Sequence, residues 1–306
     1  MYCYRAFGFN IESEFEIAQM LSAVFPEEEC DVFVRCGKTS DAMVENPIRV
    51  YLDAKFNKEE MWADLEVVRI YVGHGRDIIV DRISEKEGDE GLIQAYITGL
   101  AFGAIMHQRG EIPMHGSCVR KDGKAILFTG VSGAGKSSIA AEAIRQGYRL
   151  VTDDVTPISI KDGVVVAEPS FPQQKLWEDA VARGGVANQT DHRLYDEDDR
   201  TKYAMNVDEA FLNEPAELRG VIQMIPKEEL RQGRELISEV RGLEKAVLLQ
   251  LHTYRTYMLV DQESRQRHFQ KCADIASKLK TAHLFRYQDT SEADLLAAAE
   301  EFINGK

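Results

Sequence analysis

Positive charge is in short supply along this chain. Its 37 lysines and arginines face 51 aspartates and glutamates, for a net charge of -14, and no segment concentrates them into a basic stripe. Such a surface repels a phosphate backbone, which excludes a general nucleic-acid binder and favours a basic peptide or a partner with a basic patch. Cysteine is scarce too: Cys3, Cys30, Cys36, Cys118 and Cys272 are odd in number and form no C-x-x-C pair. That speaks against a disulfide framework or a zinc site and predicts reduced, mostly buried thiols. Long apolar runs are missing, since the longest, Ala95 to Met106, stops well short of the ~20 residues that cross a bilayer. The start, MYCYRAFGFNIESEFE, has neither a charged-then-apolar leader nor a small-residue cleavage site, so a cytoplasmic protein without membrane contact is expected. There is no internal repeat. What is there is 306 residues, 44% hydrophobic and 29% charged, enough for a sizeable core in one large domain or two modest ones.

The first ninety residues read mostly as strands, with DVFVRC and PIRVYLDA alternating and EVVRIYV and DIIVDRI forming a hairpin around GHGR. His74 falls in that turn and reads as an exposed turn residue. The segment GLIQAYITGLAFGAIMHQRG places Leu92, Tyr96 and Leu100 on one stripe and Ile93, Ile97, Ala101 and Ala104 on another, a helix packed on two sides. Its Gly99 and Gly103 match a membrane dimer spacing, but a buried helix is the expectation. The predicted organisation is a small β-rich domain over 1–90, a connecting helix over 91–112 and a larger α/β domain with a mixed sheet over 113–306.

Two hairpins, each turning at K-D-G, bracket a glycine-rich loop. Ser137 to Gln146 reads as a helix and YRLVT as the next strand, expected beside the strand that precedes the loop. Gly184 to Asn206, with the acidic run Asp196 to Asp199, reads as a solvated loop. ELRGVIQMIP and KAVLLQLHTYR read as strands, RQRHFQKCADIASKLK as a helix, HLFRYQ as a strand and ADLLAAAEEFING as a last helix.

The loop ILFTGVSGAGKSS fits G-x-x-x-x-G-K-[ST] at Gly130, Gly135, Lys136 and Ser137. Glycines let main-chain N–H groups converge on phosphate oxygens, the following helix offers its positive end, the lysine neutralises charge and the hydroxyl ligates magnesium. ATP and Mg2+ are the expected cofactors, with Gly130, Ser132, Gly133, Ala134, Gly135, Lys136, Ser137 and Ser138 as nucleotide contacts. Asp153 and Asp154 stand side by side at the next strand's end, where paired carboxylates need a cation or donors nearby. One of them suits a proton acceptor and the other a metal ligand. His115, in PMHGSCV, is a lone histidine whose bland reading is structural.

Together, the His-Gly pair, the loop and the Asp-Asp pair resemble the catalytic core of the HPr kinase/phosphorylase family, which shares a core with the ATP-dependent phosphoenolpyruvate carboxykinases. The resemblance covers about Pro113 to Trp177. It implies an ATP-dependent serine kinase in which His115 assists beside the phosphates, Lys136 and Ser137 bind ATP and magnesium, Asp153 is the general base and Asp154 supports the metal. The family's glycine-rich signature E-[IV]-R-G-x-G is absent; only EDAVARGG, Glu178 to Gly185, stands in its place. The runs SFPQQKLW and RTKY resemble a branch found beside peptide biosynthesis genes, some members of which phosphorylate a serine at the C-terminal end of a lasso-peptide precursor, which makes Lys175, Arg200 and Lys202 candidate phosphate or substrate contacts. A peptide or small protein bearing a serine hydroxyl is therefore the expected partner. Because the family includes hexamers, a homo-oligomer is expected as well.

Overall fold

The computed structural model describes residues 1–178, 192–197 and 200–305. Its first part is an eight-stranded sheet of β1 (Tyr2–Ala6), β2 (Phe9–Ser13), β3 (Val32–Cys36), β4 (Arg49–Tyr51), β5 (Ala54–Phe56), β6 (Glu60–Asp64), β7 (Val68–Gly73) and β8 (Asp77–Arg82). The spatial order is β1-β2-β3-β8-β7-β6-β5-β4. Period-two alternation builds it: Val68, Ile70 and Val72 of β7 are buried with Ile78 and Val80 of β8. The expected β7–β8 hairpin is present, and His74 sits at its tip with φ 56°, exposed. PIRVYLDA is not one strand but the β4–β5 hairpin, because the chain reverses at Leu52, whose φ is 50°.

A helical stretch follows, made of α1 (Glu90–Tyr96), a π turn over Ile97–Ala101 and α2 (Phe102–Gln108). Ile93, Ile97, Phe102 and Ile105 share one core with the eight-stranded sheet and with Val155, Phe171, Tyr254, Met258 and Val260 from much later in the chain. The core under the first sheet is thus completed by residues beyond 113. Gly99 and Gly103 seat one tyrosine: a Cβ on either would stand 3.0 Å from the side chain of Tyr254. Among the described residues no helix is long and apolar enough to cross a membrane.

The second sheet comprises β9 (Ile112–Lys121), β10 (Lys124–Thr129), β11 (Arg149–Thr152), β12 (Val155–Lys161), β13 (Val164–Ala167), β17 (Ala216–Pro226), β18 (Ile237–Glu239) and β19 (Lys280–Arg286), between which come α3 (Lys136–Arg145), α4 (Glu244–Leu251) and α5 (Gln262–Lys278), with α6 (Glu292–Asn304) last. Three further strands, β14 (Gln173–Trp177), β15 (His192–Glu197) and β16 (Arg200–Asn206), form a small sheet of their own in the order β14-β16-β15. The fold is therefore mixed α/β, with both parallel and antiparallel pairing. In β10, Ala125 and Leu127 face a core shared with α4 and α5, while Ile126 and Phe128 face one shared with α3 and α6. Helices thus cover both sides of the strand, as its unbroken apolar run requires. β10, β17 and β19 run parallel; β10 stops at Thr129, opposite Gln223, while β17 and β19 run on to end together at Pro226 and Arg286, and the carboxyl ends of parallel strands are where α/β sheets bind ligands.

Three expectations change. The strand after α3 does not lie beside β10, because β9 pairs with β10 on one side and with β11 and β12 on the other. KAVLLQLHTYR is helical from Glu244 to Leu251; a short apolar run fits either element, and here Ala, Leu and Gln favour the helix, with Ala246 and Leu249 packed against Cys272 and Ile275 of α5. The segment expected as a polar loop over Gly184 to Asn206 contains the β15–β16 hairpin.

Candidate active site

The site is assembled on β9, whose first half carries Pro113 to Ser117. Gly116 lies opposite Thr129 of β10, and any Cβ there would come within 2.5 Å of the Phe128 carbonyl oxygen, so this close approach admits only glycine. That contact explains the glycine of the His-Gly pair. The neighbouring His115 is pinned by its main chain: its N–H donates to the His252 carbonyl at 2.8 Å and its carbonyl accepts from Thr129 Oγ1 at 2.7 Å. Its imidazole stacks on Tyr254, with centroids 5.8 Å apart and planes 13° from parallel.

The glycine loop leaves the end of β10 and enters α3. Gly130, Gly133 and Gly135 all have positive φ, and Gly135 caps the helix at φ 102°. Ser132 and Gly133 are exposed on the loop, Ala134 is buried beneath it, and Ser137 and Ser138 are half-buried in the first helical turn. Lys136 is 9% exposed and its Nζ donates to the carbonyls of Gly130 and Val131 at 3.1 Å each. Arg286, at the end of β19, brings Nη1 to 3.4 Å from where a Gly135 Cβ would be. A second cation therefore borders the positive end of α3. No local pattern marks it, since it lies far downstream of the glycine loop at a strand end.

Asp153 is 3% exposed and fully engaged. Its Oδ1 accepts from Ser117 Oγ at 2.5 Å and Ser137 Oγ at 3.0 Å, and its Oδ2 accepts from the Lys175 main-chain N–H at 2.8 Å and from Ser137 Oγ at 3.2 Å. Such donors suit an ionised carboxylate, which only accepts. Asp154 takes the left-handed conformation, φ 78°, and its Oδ2 pairs with Lys175 Nζ at 2.8 Å. Its side chain is 24% exposed against 8% for Lys175. One residue, Lys175, thus serves both acids, by its N–H and by its ammonium. Of the two residues expected on the metal, Ser137 meets Asp153 through its hydroxyl and Asp154 pairs with Lys175.

Ser137 Oγ and the Asp153 oxygens form a pair of hard oxygen donors at a helix start, a set that fits Mg2+, which takes most of its ligands from phosphate and water. Among the described residues no three His, Cys, Asp or Glu side chains gather into a larger metal cluster. Strand pairing sets Lys175 opposite Ala204 and Trp177 opposite Lys202. The side chains of Arg200 and Lys202 lie outside the described residues. His252 is a further imidazole that motif reading missed; burial pushes its pKa down to about 4, helped by the charges of Lys136 and His283, so it is neutral near pH 7.

Comparison with known proteins finds the HPr Serine kinase C-terminal domain matching residues 108–177. The HPr kinase/phosphorylase of Clostridium botulinum is 46% identical over 56 residues, 18% of this chain and 18% of that protein. That of Clostridium acetobutylicum is 43% identical over 61 residues, 20% of each. The aligned stretch is therefore about a fifth of the length of these curated relatives. Among solved structures, the HPr(Ser) kinase/phosphatase from Coxiella burnetii is 15% identical, with a TM-score of 0.31, over 61% of this chain and 91% of that one.

Proposed function

We propose, from the match of residues 108–177 to the HPr Serine kinase C-terminal domain, that the chain is an ATP-dependent kinase transferring the γ-phosphate to a serine hydroxyl of a peptide. The observation that carries this reading is the convergence of the glycine loop, Lys136 and Ser137 with the Asp153–Lys175–Asp154 cluster. In the transfer the acceptor oxygen forms a bond to phosphorus, the bond from phosphorus to the ADP oxygen breaks, and the acceptor proton leaves to a base. Positioning and charge neutralisation do most of the work in such a step. Lys136, released from its loop carbonyls, holds the terminal phosphates. Ser137 and Asp153 would hold magnesium, which when bound neutralises phosphate oxygens.

The base we assign is Asp154 rather than Asp153. Both oxygens of Asp153 are occupied by donors and its side chain is sealed, whereas Asp154 is more open and has Lys175 beside it to steady its charge. His115 borders the same space across Tyr254 and Gly116, whose N–H donates to the Asp154 carbonyl at 3.1 Å.

The acceptor we favour is a lasso-peptide precursor phosphorylated at its C-terminal serine; the net charge of -14 suits a basic peptide, and the SFPQQKLW run supports that branch. A small protein of the HPr kind is the second reading, favoured by the names of the matched relatives. Five free cysteines suit a reducing compartment such as the cytoplasm. The test is incubation with Mg2+ and radiolabelled ATP beside serine-ended peptides, HPr and a metabolite pool. Label on peptide is the expected result. Label on metabolites alone would overturn the peptide, and unaltered ATP throughout would leave a nucleotide-binding scaffold.

A further inference from the structure

The loop after α4 carries a cation that the proposed reaction does not use. Arg255 adopts φ 50° and ψ 53°, the left-handed region in which a non-glycine residue is strained. Its guanidinium lies 5.0 Å from the ring centroid of Tyr254 and 6.0 Å from that of Tyr257, and Nη1 donates to the Tyr257 hydroxyl at 2.6 Å. Its Nε is shut off from solvent and has no acceptor. Among the described residues no carboxylate pairs with it, and the groups that act on its charge are the two tyrosines. A partly buried guanidinium without a counter-ion is costly, and so is its backbone conformation.

Both costs fall one aromatic ring away from His115. The Tyr254 ring on which Arg255 rests also stacks on His115, and its phenol lies within electrostatic reach of Asp154 and Lys175. Tyr254 itself is held against Gly99 and Gly103, so the platform under Arg255 is fixed. A guanidinium offers a planar fork of donors that matches the oxygens of a phosphate or carboxylate. The contacts of Arg255 lie with Tyr254 and Tyr257, and the Tyr254 ring in turn stacks on His115, whereas Lys136 and Arg286 border the nucleotide loop.

We infer that Arg255 anchors an oxyanion on the acceptor side of the site, either the phosphate of the newly modified hydroxyl or a carboxylate that the acceptor carries next to it. This rests on the kinase reading given above. The test uses the full chain saturated with MgADP, so that the glycine loop is filled, and follows thermal stability during titration with two probes. N-acetyl-O-phosphoserine amide offers only a phosphate and N-acetylserine only a carboxylate; whichever stabilises the wild type identifies the source. Arg255→Gln is expected to weaken that response by at least about tenfold, and Arg255→Lys to restore only part of it because the fork is lost. An equal response in wild type and Arg255→Gln, or none to either probe in the wild type, overturns the inference. If Arg255→Gln does not fold, Arg255→Lys decides: a response equal to wild type counts against the anchor. Absence of any stabilisation by MgADP would instead refute the kinase reading, and the same titrations without nucleotide still judge Arg255.

Discussion

His115 stands between two regions built on different principles. Towards the glycine loop and Asp153 the structure is fixed by hydrogen bonds of defined direction: Ser117, Ser137 and the Lys175 N–H all converge on one carboxylate. Towards Tyr254 it is fixed by packing, with a phenol ring over Gly99 and Gly103 and the Tyr254 carbonyl accepting from His107 Nε2 at 2.7 Å. The first kind of construction holds charges where chemistry needs them. The second ties the site to the core under the eight-stranded sheet, since Tyr254 is buried in it. Chemistry should thus respond to changes on the first side, and alignment and stability to changes on the second.

The largest effect expected is from Asp154→Asn, which removes the proton acceptor and should lower kcat by about 10²–10⁴-fold while MgATP binding stays intact. Transfer kinetics beside a nucleotide titration check this, and full activity would exclude Asp154 as the base. On the packed side the expected lever is pH. Burial pushes His107 and His268 down to about 4, from an ordinary value of 6.5. Folded, they stay neutral in that window, while the unfolded chain takes up protons, so stability is complete above pH 6.5 and falls as pH drops towards 4, by up to about 1.4 kcal/mol per pH unit for each group. Glu111, raised to about 7 by burial, works in the opposite direction over roughly the same range, one group against these two and His252, which burial lowers as well. Melting temperatures lower at pH 5 than at pH 7.5 are expected, and a flat profile would contradict neutral buried imidazoles. The smallest effect belongs to Gly103→Ala, whose Cβ would stand 3.0 Å from a Tyr254 ring carbon. It should cost about 1–3 kcal/mol of stability and lower kcat without changing MgATP affinity. If kcat is untouched, the packed side does not align the site.

The same contrast governs what could be read without a structure. The glycine loop, His115, Lys136 and the acid pair announce themselves because phosphate chemistry demands particular residue types at short spacings, and the β7–β8 hairpin and the last helices because their apolar periodicity is regular. The partners of Asp153 and Asp154 were not readable, since they depend on the left-handed turn at Asp154 and on Lys175 arriving from β14. α4 was misread because four apolar residues in a row, AVLL, carry no period. Ser117, His252, Arg255 and Arg286 escaped because nothing local marks them; only tertiary packing brings Ser117 to Asp153, Arg286 to the glycine loop, and the loop carrying His252 and Arg255 to His115. Gly99 and Gly103 showed a pattern whose cause, a tyrosine some 150 positions later, lies wholly in tertiary contact.

The most direct test of the central claim is label transfer from [γ-32P]ATP with Mg2+ present, in wild type and Lys136→Ala, with serine-ended peptides as acceptors. Labelled phosphoserine formed by the wild type and lost in Lys136→Ala is the predicted result. Label that stays on ATP, or reaches peptide equally well without the Lys136 ammonium, would contradict the account.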